Sequence, residues 1–548
     1  MYYWSLNDFF ALDRTEVILN HRYACVSTSY LNRFDAVEAQ VEISVVNGLP
    51  TIEMVGLCDS SVKESKQRVK SAIKQSGFSF PSARVTISIS PSYEKKSGSS
   101  FDLPIALCLL AATNQITIPH GVRLFCMGEL SLTGDIRPTP GMLARMSAIH
   151  DATVLAIIPE DTVKEAAIGG FHAFGARNLR QICRAFRCVA YEEKPSALRL
   201  YDTLKNEGLV LSSEYALPLS DFDNRQEDVM DISFLKGQEK AKRAIVLAAA
   251  GFHNLLLVGS PGSGKSTAMH LLSKLMPPMS NDERLRCLQI KGCAGVLSPR
   301  DLLDRNRPFV EVPQSCGMRQ MHGDISSSSP GLVSLSQGGI LFLDEIAEFP
   351  NRILDSLRTT IDEKEINSAT SAQGDTSQRP ILVSGAMNPC RCGRYLDEPE
   401  KCSCSIVGRQ QYMNRISGAI YDRMDIFCEM YRVNIDGLKE SLSYTSAHEN
   451  DEYRERIGIC WERQYQRCRE QNRPMMLNGQ VGNGHLGDMF RVAQSELDFL
   501  AEASDKLHIS ARGMGRILRV ARTIADYQEE IDVQRSDISE ALLYRDKK

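Results

Sequence analysis

Three groups of residues have types and spacings suited to chemistry. The first is Gly259-Ser260-Pro261-Gly262-Ser263-Gly264-Lys265-Ser266, which follows the apolar run Leu255–Val258 and precedes Thr267–Leu272 at helical spacing. A strand, a glycine-rich turn and a helix start form the phosphate-binding pattern G-x-x-x-x-G-K-[ST]. Glycines let the loop turn where a Cβ would clash, and its amides and the helix N-terminus then converge on a polyphosphate. Lys265 is expected to neutralise β- and γ-phosphates and Ser266 to hold Mg²⁺, with Thr267 completing the loop. The second group is Gly339-Ile-Leu-Phe-Leu-Asp344-Glu345, an apolar strand that delivers two carboxylates at its C-terminal end. Parallel sheets place ligand chemistry there. Asp344 is assigned to the Mg²⁺ shell and Glu345 to the attacking water. The third is Cys390-Arg-Cys392 with Cys402-Ser-Cys404. Two close thiol pairs suit tetrahedral Zn²⁺, but their C-x-C spacing is less diagnostic than C-x₂-C, so four free thiols stay open beside structural zinc.

These groups need a large folded frame. A chain of 548 residues exceeds one core, so two or three domains are expected. The apolar share of 43% and charged share of 24% are those of a globular protein. Net charge is −4, from 64 Lys and Arg against 68 Asp and Glu, so any nucleic-acid contact must use a local basic patch. Sixteen cysteines spread along the chain read mostly as free thiols in packed positions. No stretch approaches the ~18–20 apolar residues of a membrane span, and the N-terminus lacks a signal-peptide pattern. The expectation is a cytoplasmic protein with no membrane partner.

Taken in order, residues 1–22 read as an extension with no assigned role. Alternation over Val41–Val46 and Val85–Ser90 predicts strands, and Val62, Val69, Ala72 and Ile73 mark one helix face. A second helix is predicted over Leu103–Ala112, and a strand and turn over Gly128–Gly134. This α/β or α+β domain spans 23–190. Residues 191–228 are polar and acidic and read as a linker. The nucleotide-binding α/β core spans 229–434 with the cysteine insert at 390–404. A helix is expected over Ala241–Ala250, a further one over Asn351–Glu363, then a hairpin over Lys364–Thr376 turning near Gln373–Asp375. From 435 to 548 the pattern is helical, with helices over 452–470, 495–506, 511–528 and 535–545.

Several segments resemble one family. Gly48-Leu-Pro, Val55-Gly-Leu57, Val62-Lys-Glu-Ser65, Ser76-Gly-Phe78, Phe101-Asp-Leu-Pro-Ile-Ala106 and Gly128-Glu-Leu-Ser-Leu132 are similar to the N-terminal domain of the YifB/ComM-type magnesium-chelatase-like AAA+ ATPases. That resemblance extends over about 23–545. It implies a domain with the fold of the Lon proteolytic domain, a P-loop AAA+ core with a parallel sheet, and an all-α C-terminal lid. Lon-type proteolysis needs a serine activated by a lysine. Ser100, just after Gly98, falls near the nucleophile's place, but the lysine's place after Gly141 reads Met142-Leu143. The domain is therefore expected to be non-proteolytic.

By the same resemblance, Ile232–Glu239 with its Gly237-Gln238 lies beside the adenine, and Asn388, ending the strand from Ile381, is a sensor facing the γ-phosphate. The 364–376 hairpin is similar to the inserted pore hairpin of chelatase-type proteins. Arg415–Asp425 is similar to the stretch that supplies an arginine to the neighbouring subunit's nucleotide, with Arg423 preferred and Arg415 in reserve. A surface Arg423 paired with Asp422 or Asp425 stays open. Arg512 takes the second sensor position. The remaining arginines of that stripe, Arg516, Arg519 and Arg522, read as a solvated face.

The resemblance implies ATP and Mg²⁺ as ligands, a hexameric homo-oligomeric ring and, for the ComM type, DNA as partner. The function it implies is helicase or branch-migration activity in recombination during natural transformation. A protein-remodelling ATPase and, behind it, a magnesium-chelatase motor subunit are the alternatives. Three departures bear on substrate: Gln314-Ser-Cys316 stands in place of a His-His-Thr, Leu332 in place of the Glu of Pro-Gly-Glu, and Ala369-Thr370 where a hairpin arginine is usual. They are expected to touch pore-lining loops and to spare the hydrolytic residues.

Overall fold

A computed structural model describes residues 22–57, 59–119, 122–149, 154–190, 197–215, 230–235, 237–324, 329–370, 379–397, 399–432 and 449–545. The chain divides into two compact units. The first is built from residues up to 224 with 288–304 and 324–330, the second from the remainder.

In the first unit, β1 (Tyr23–Asn32), β2 (Asp35–Val46), β3 (Thr51–Val55), β4 (Arg84–Ser90), β5 (Arg123–Cys126), β8 (Val154–Pro159), β9 (Ala173–Ala176) and β10 (Val210–Leu211) form one mixed sheet, ordered β10-β9-β8-β5-β1-β2-β4-β3. β6 (Glu129–Leu130) and β7 (Ile136–Arg137) make a separate ribbon. Alternation sets the pleat: Val41, Ile43 and Val45 of β2 and Val85, Ile87 and Ile89 of β4 point inward and pair Val41 with Ile89. The predicted helix is Ser60–Gln75, started by Asp59, whose carboxylate accepts the Val62 amide at 2.8 Å. Such a cap contributes about 1 kcal/mol. The helix Asp102–Ala112 is apolar on every side, as a wholly buried helix must be. The segment read as a linker is partly folded: a helix over Ala197–Asn206 and β10 extend this unit beyond residue 190.

In the second unit, β11 (Leu255–Gly259), β12 (Phe309–Glu311), β15 (Ile340–Leu343), β16 (Leu382–Met387) and β17 (Ile426–Met430) form an all-parallel sheet ordered β12-β15-β16-β11-β17. Outside this sheet, β13 (Gly323–Asp324) and β14 (Ser329–Pro330), whose residues 324–330 are counted in the first unit, form a two-stranded ribbon. Leu255–Leu257 are buried because β11 lies inside the sheet with both faces covered. Register aligns Leu255 with Ser384 on one side and Ile426 on the other, so the phosphate loop, Asp344 and Asn388 leave the sheet at the same edge. The C-terminal region is helical, with Glu449–Glu470, Gln494–Lys506, Ala511–Tyr527 and Arg535–Leu542.

Two expectations change here. The helix from Asn351 runs on to Thr370, so the first half of the predicted hairpin is helix, and 371–378 lie outside the described residues. Arg516, Arg519 and Arg522 are buried rather than solvated. Arg516 pairs with Asp425 at 2.6 Å, Arg519 donates to the Val481 carbonyl and Asn483, and Arg522 donates to the carbonyls of Glu530 and Ile531. Loop carbonyls and carboxylates accept from each guanidinium, which offsets part of the cost of burying the charge.

Candidate functional site

The phosphate loop follows from two local demands. Gly262 and Gly264 have φ of +81° and +89°, where side chains are strained. Gly259 is required by closeness: a Cβ there would lie 2.5 Å from the Met430 carbonyl of β17. Gly264 precedes the helix Lys265–Leu275, whose first amides face the loop. Ser260 and Ser263 are buried, Pro261 and Gly262 are exposed, and Thr267 is half-buried in the first helical turn.

Lys265 Nζ donates to the carbonyls of Gly259 at 2.7 Å and Ser260 at 3.0 Å, and to Asn388 Oδ1 at 3.3 Å. Burial pulls its pKa down, while Asp344 and Glu345 favour its charge. Ser266 Oγ donates to Asp344 Oδ2 at 3.1 Å, so the two residues assigned to Mg²⁺ already face one another. Glu345 stands at φ +49°, a left-handed conformation costing about 1–2 kcal/mol for a side-chain-bearing residue. Its amide donates to Asp344 Oδ1 at 2.9 Å and its carbonyl accepts the Glu348 amide at 2.7 Å, which hold the turn. That turn leaves the Glu345 carboxylate exposed beyond the end of β15. Lys265, Ser266, Asp344, Glu345 and Asn388 thus converge.

Gln314 joins this group from the chain that follows β12. Gln314 Nε2 donates to Glu345 Oε2 at 2.9 Å. The departure at Gln314 therefore touches the carboxylate that the sequence assigns to the attacking water. It was reachable in principle: β12 pairs with β15, so the chain leaving β12 emerges beside the acids.

The arginines separate. Arg423 is buried and fixed, donating to both Asp362 oxygens at 2.7 and 2.6 Å and to the Ala419 carbonyl at 2.7 Å. Asp362 holds it through both carboxylate oxygens. Arg415 is about half exposed and pairs with Glu348 at 2.7 Å. Arg512 is exposed in the first turn of the helix Ala511–Tyr527, and Gln238 is buried with its amide on the Tyr431 carbonyl.

The four cysteines come together. Their Sγ atoms lie within 4.8 Å of one another, with Cys390–Cys392 at 3.4 Å, Cys390–Cys402 at 3.8 Å and Cys392–Cys402 at 3.6 Å. Tetrahedral zinc with bonds of ~2.3 Å needs sulfurs about 3.8 Å apart, so the donor set fits that ion. The backbone amide of Arg394, helped by the neighbouring thiols, holds the Cys392 thiol down to about 6.

Comparison with known proteins agrees in all three regions. Residues 231–438 match the family described as magnesium chelatase, subunit ChlI, residues 41–162 match subunit ChlI of Mg-chelatase, and 447–545 match its C-terminal family. The chain is 32% identical to YifB of Salmonella typhimurium over 92% of its length and 93% of that protein. It is 31% identical to competence protein ComM of Haemophilus influenzae, covering 92% of this chain and 94% of that protein. The magnesium-chelatase 38 kDa subunit of Cereibacter sphaeroides is 27% identical over 29% of this chain and 52% of its own. Among the described residues no helix is long and apolar enough to cross a membrane. With its parallel nucleotide-type sheet, helical C-terminal region and full-length likeness to YifB and ComM, the chain belongs to the YifB/ComM-type magnesium-chelatase-like family.

Proposed function

We propose that this protein is a Mg-ATP-hydrolysing ring motor of the cytoplasm that acts on DNA. The observation that carries the reading is the convergence of Lys265, Ser266, Asp344, Glu345 and Asn388 at one edge of the parallel sheet. When bound, Mg²⁺ would supply charge neutralisation at the phosphates. Ser266 and Asp344 are the residues that would hold it. Lys265, released from the Gly259 and Ser260 carbonyls, pairs with the phosphates of ATP, and the loop amides bind their oxygens. Glu345 orients water for attack on the γ-phosphorus and accepts its proton. Asn388, bonded to Lys265, marks where the γ-phosphate ends.

The charge that grows in the transition state needs an arginine, and a neighbouring subunit supplies it in a ring, hexameric by family likeness. Of the two candidates, Arg415 has the exposure to reach across a boundary. Arg423 is anchored by Asp362 and supports that stretch from within. Arg512 of the lid completes the site as second sensor. The N-terminal domain has no proteolytic role, because Met142 and Leu143 offer Ser100 no base. Cys390, Cys392, Cys402 and Cys404 hold a structural Zn²⁺, a reading supported by their sulfur spacing.

DNA as the polymer follows from the likeness to a competence protein. The test is ATPase rate with and without branched DNA at several salt concentrations, since phosphate contacts weaken with salt. Stimulation at low salt that fades as salt rises is expected. A rate indifferent to DNA but raised by an unfolded protein would replace this reading with protein remodelling.

A further inference from the structure

The cysteine cage and the phosphate loop are in direct contact. Gly393 stands one residue after Cys392, closes a turn by donating its amide to the Cys390 carbonyl at 2.9 Å, and has a φ of +76°. It is buried against Pro261: a Cβ on it would lie 2.5 Å from Pro261 Cδ and 2.8 Å from Cγ. Real Cβ atoms do not tolerate such approaches, and a proline ring cannot rotate aside. Two residues before Cys390, Asn388 receives its bond from Lys265 Nζ. A third tie runs through Arg432, whose amide donates to Asp397 Oδ1 at 3.1 Å and whose Nε donates to the Pro261 carbonyl at 3.1 Å. The turn that carries Cys390 and Cys392 is therefore bracketed by contacts to Lys265 on one side and Pro261 on the other.

We propose that metal occupancy of the Cys390–Cys404 cage sets nucleotide affinity, with Gly393 as the positioning residue that transmits it to Pro261. The inference rests on the zinc reading given above. Four thiolates bound to one Zn²⁺ fix the turn, and the turn fixes the loop whose amides must converge on phosphate. Without the ion, four thiols in contact have no common partner. The turn then loses its anchor, and Asn388 and Pro261 lose their shared support.

The test uses the full chain and reads zinc content together with binding of the fluorescent nucleotide mant-ADP in the presence of Mg²⁺. The parent is expected to carry one zinc per chain. Stripping it with a zinc-selective chelator should weaken mant-ADP binding at least tenfold, and adding zinc back should restore it. Gly393→Ala keeps all four cysteines, so it should retain zinc yet lose affinity by a similar factor. Gly295→Ala serves as the control for backbone cost, because Gly295 also has positive φ, at +70°, but meets nothing within 4 Å; it should match the parent in both readouts. Circular dichroism confirms folding in each case. Zinc present, with affinity unchanged after stripping or in Gly393→Ala, overturns the coupling and leaves the zinc site standing. A parent protein that takes up no zinc overturns both.

Discussion

Two places in this molecule hold a side chain of a type that hydrolases use, a carboxylate in one and a hydroxyl in the other, and they differ in what surrounds it. At the edge of the parallel sheet, Glu345 is exposed, bonded to Gln314 and next to Asp344, which faces Ser266. Before the helix Asp102–Ala112, Ser100 is buried and its hydroxyl has no hydrogen-bond partner among the described residues. The nearby carboxylate, Asp102, is committed to Arg68 at 2.6 Å and to the Leu130 amide at 3.2 Å. A nucleophile needs a base and access, and position in a fold supplies neither. The sharpest test sets the two sites side by side. Glu345→Gln should lower the ATPase rate by about 10²–10⁴-fold, the scale of general-base catalysis, and Lys265→Ala should abolish nucleotide binding. Ser100→Ala should leave ATPase unchanged, and stability should hold or rise slightly because an unpaired buried hydroxyl is removed. Casein hydrolysis by the parent that disappears in Ser100→Ala would erase the contrast.

A second contrast lies within one helix. Arg516 is buried against Asp425, which also accepts the Asn254 amide at 3.0 Å, while Arg512 one turn earlier is exposed. Removing one partner of a buried pair strands the other charge, so Arg516→Met should cost about 3 kcal/mol in urea unfolding. Arg512→Ala should change stability by less than about 0.5 kcal/mol. If Arg512 is the lid's sensor, that variant should still lose ATPase activity. Equal stability losses in the two variants would dissolve the distinction.

This arginine stripe also marks where sequence reading stops. The phosphate loop and the Asp344-Glu345 strand are legible because local order alone, apolar run then turn then charged residue, fixes their geometry. Strands β2 and β4 are legible for the same reason, as period-2 alternation sets the pleat. The burial of Arg519 and Arg522 depends on carbonyls of Val481, Glu530 and Ile531, which no helical period announces. The same limit hid Asp362, whose ion pair with Arg423 joins residues 61 apart along the chain. The first half of the predicted hairpin differs for another reason: Lys364-Glu-Ile-Asn-Ser-Ala-Thr370 contains no glycine or proline to stop the preceding helix.

The first unit offers a pH-dependent effect of intermediate size that the second unit's site should not share. Burial pushes the Glu165 carboxyl up from its ordinary 4.5 to about 7. The folded state therefore holds a proton that the unfolded chain has released between those values. Stability from this group is complete below 4.5 and is lost as pH climbs through 7, by at most ~3 kcal/mol at 1.36 kcal/mol per unit. Glu165→Gln keeps the site neutral, so its melting temperature should fall less than the parent's between pH 5 and 8. Parallel melting curves for parent and variant would remove Glu165 as the cause.

The smallest effect concerns the bond between Gln314 and Glu345. Gln314 holds Glu345 Oε2, and that carboxylate already sits on a left-handed backbone. A neutral bond to a charged group contributes about 1.5–3 kcal/mol when buried, and less here because both side chains are exposed. Gln314→Ala should therefore lower the ATPase rate only several-fold, through misplacement of Glu345, and leave mant-ADP affinity unchanged because no phosphate contact is lost. Gln314→Glu replaces that bond by like-charge repulsion beside Glu345 and should lower the ATPase rate further than Gln314→Ala. If Gln314→Ala instead raises the rate, the amide restrains Glu345 rather than aims it, and the exposed acid is held in reserve until that bond breaks.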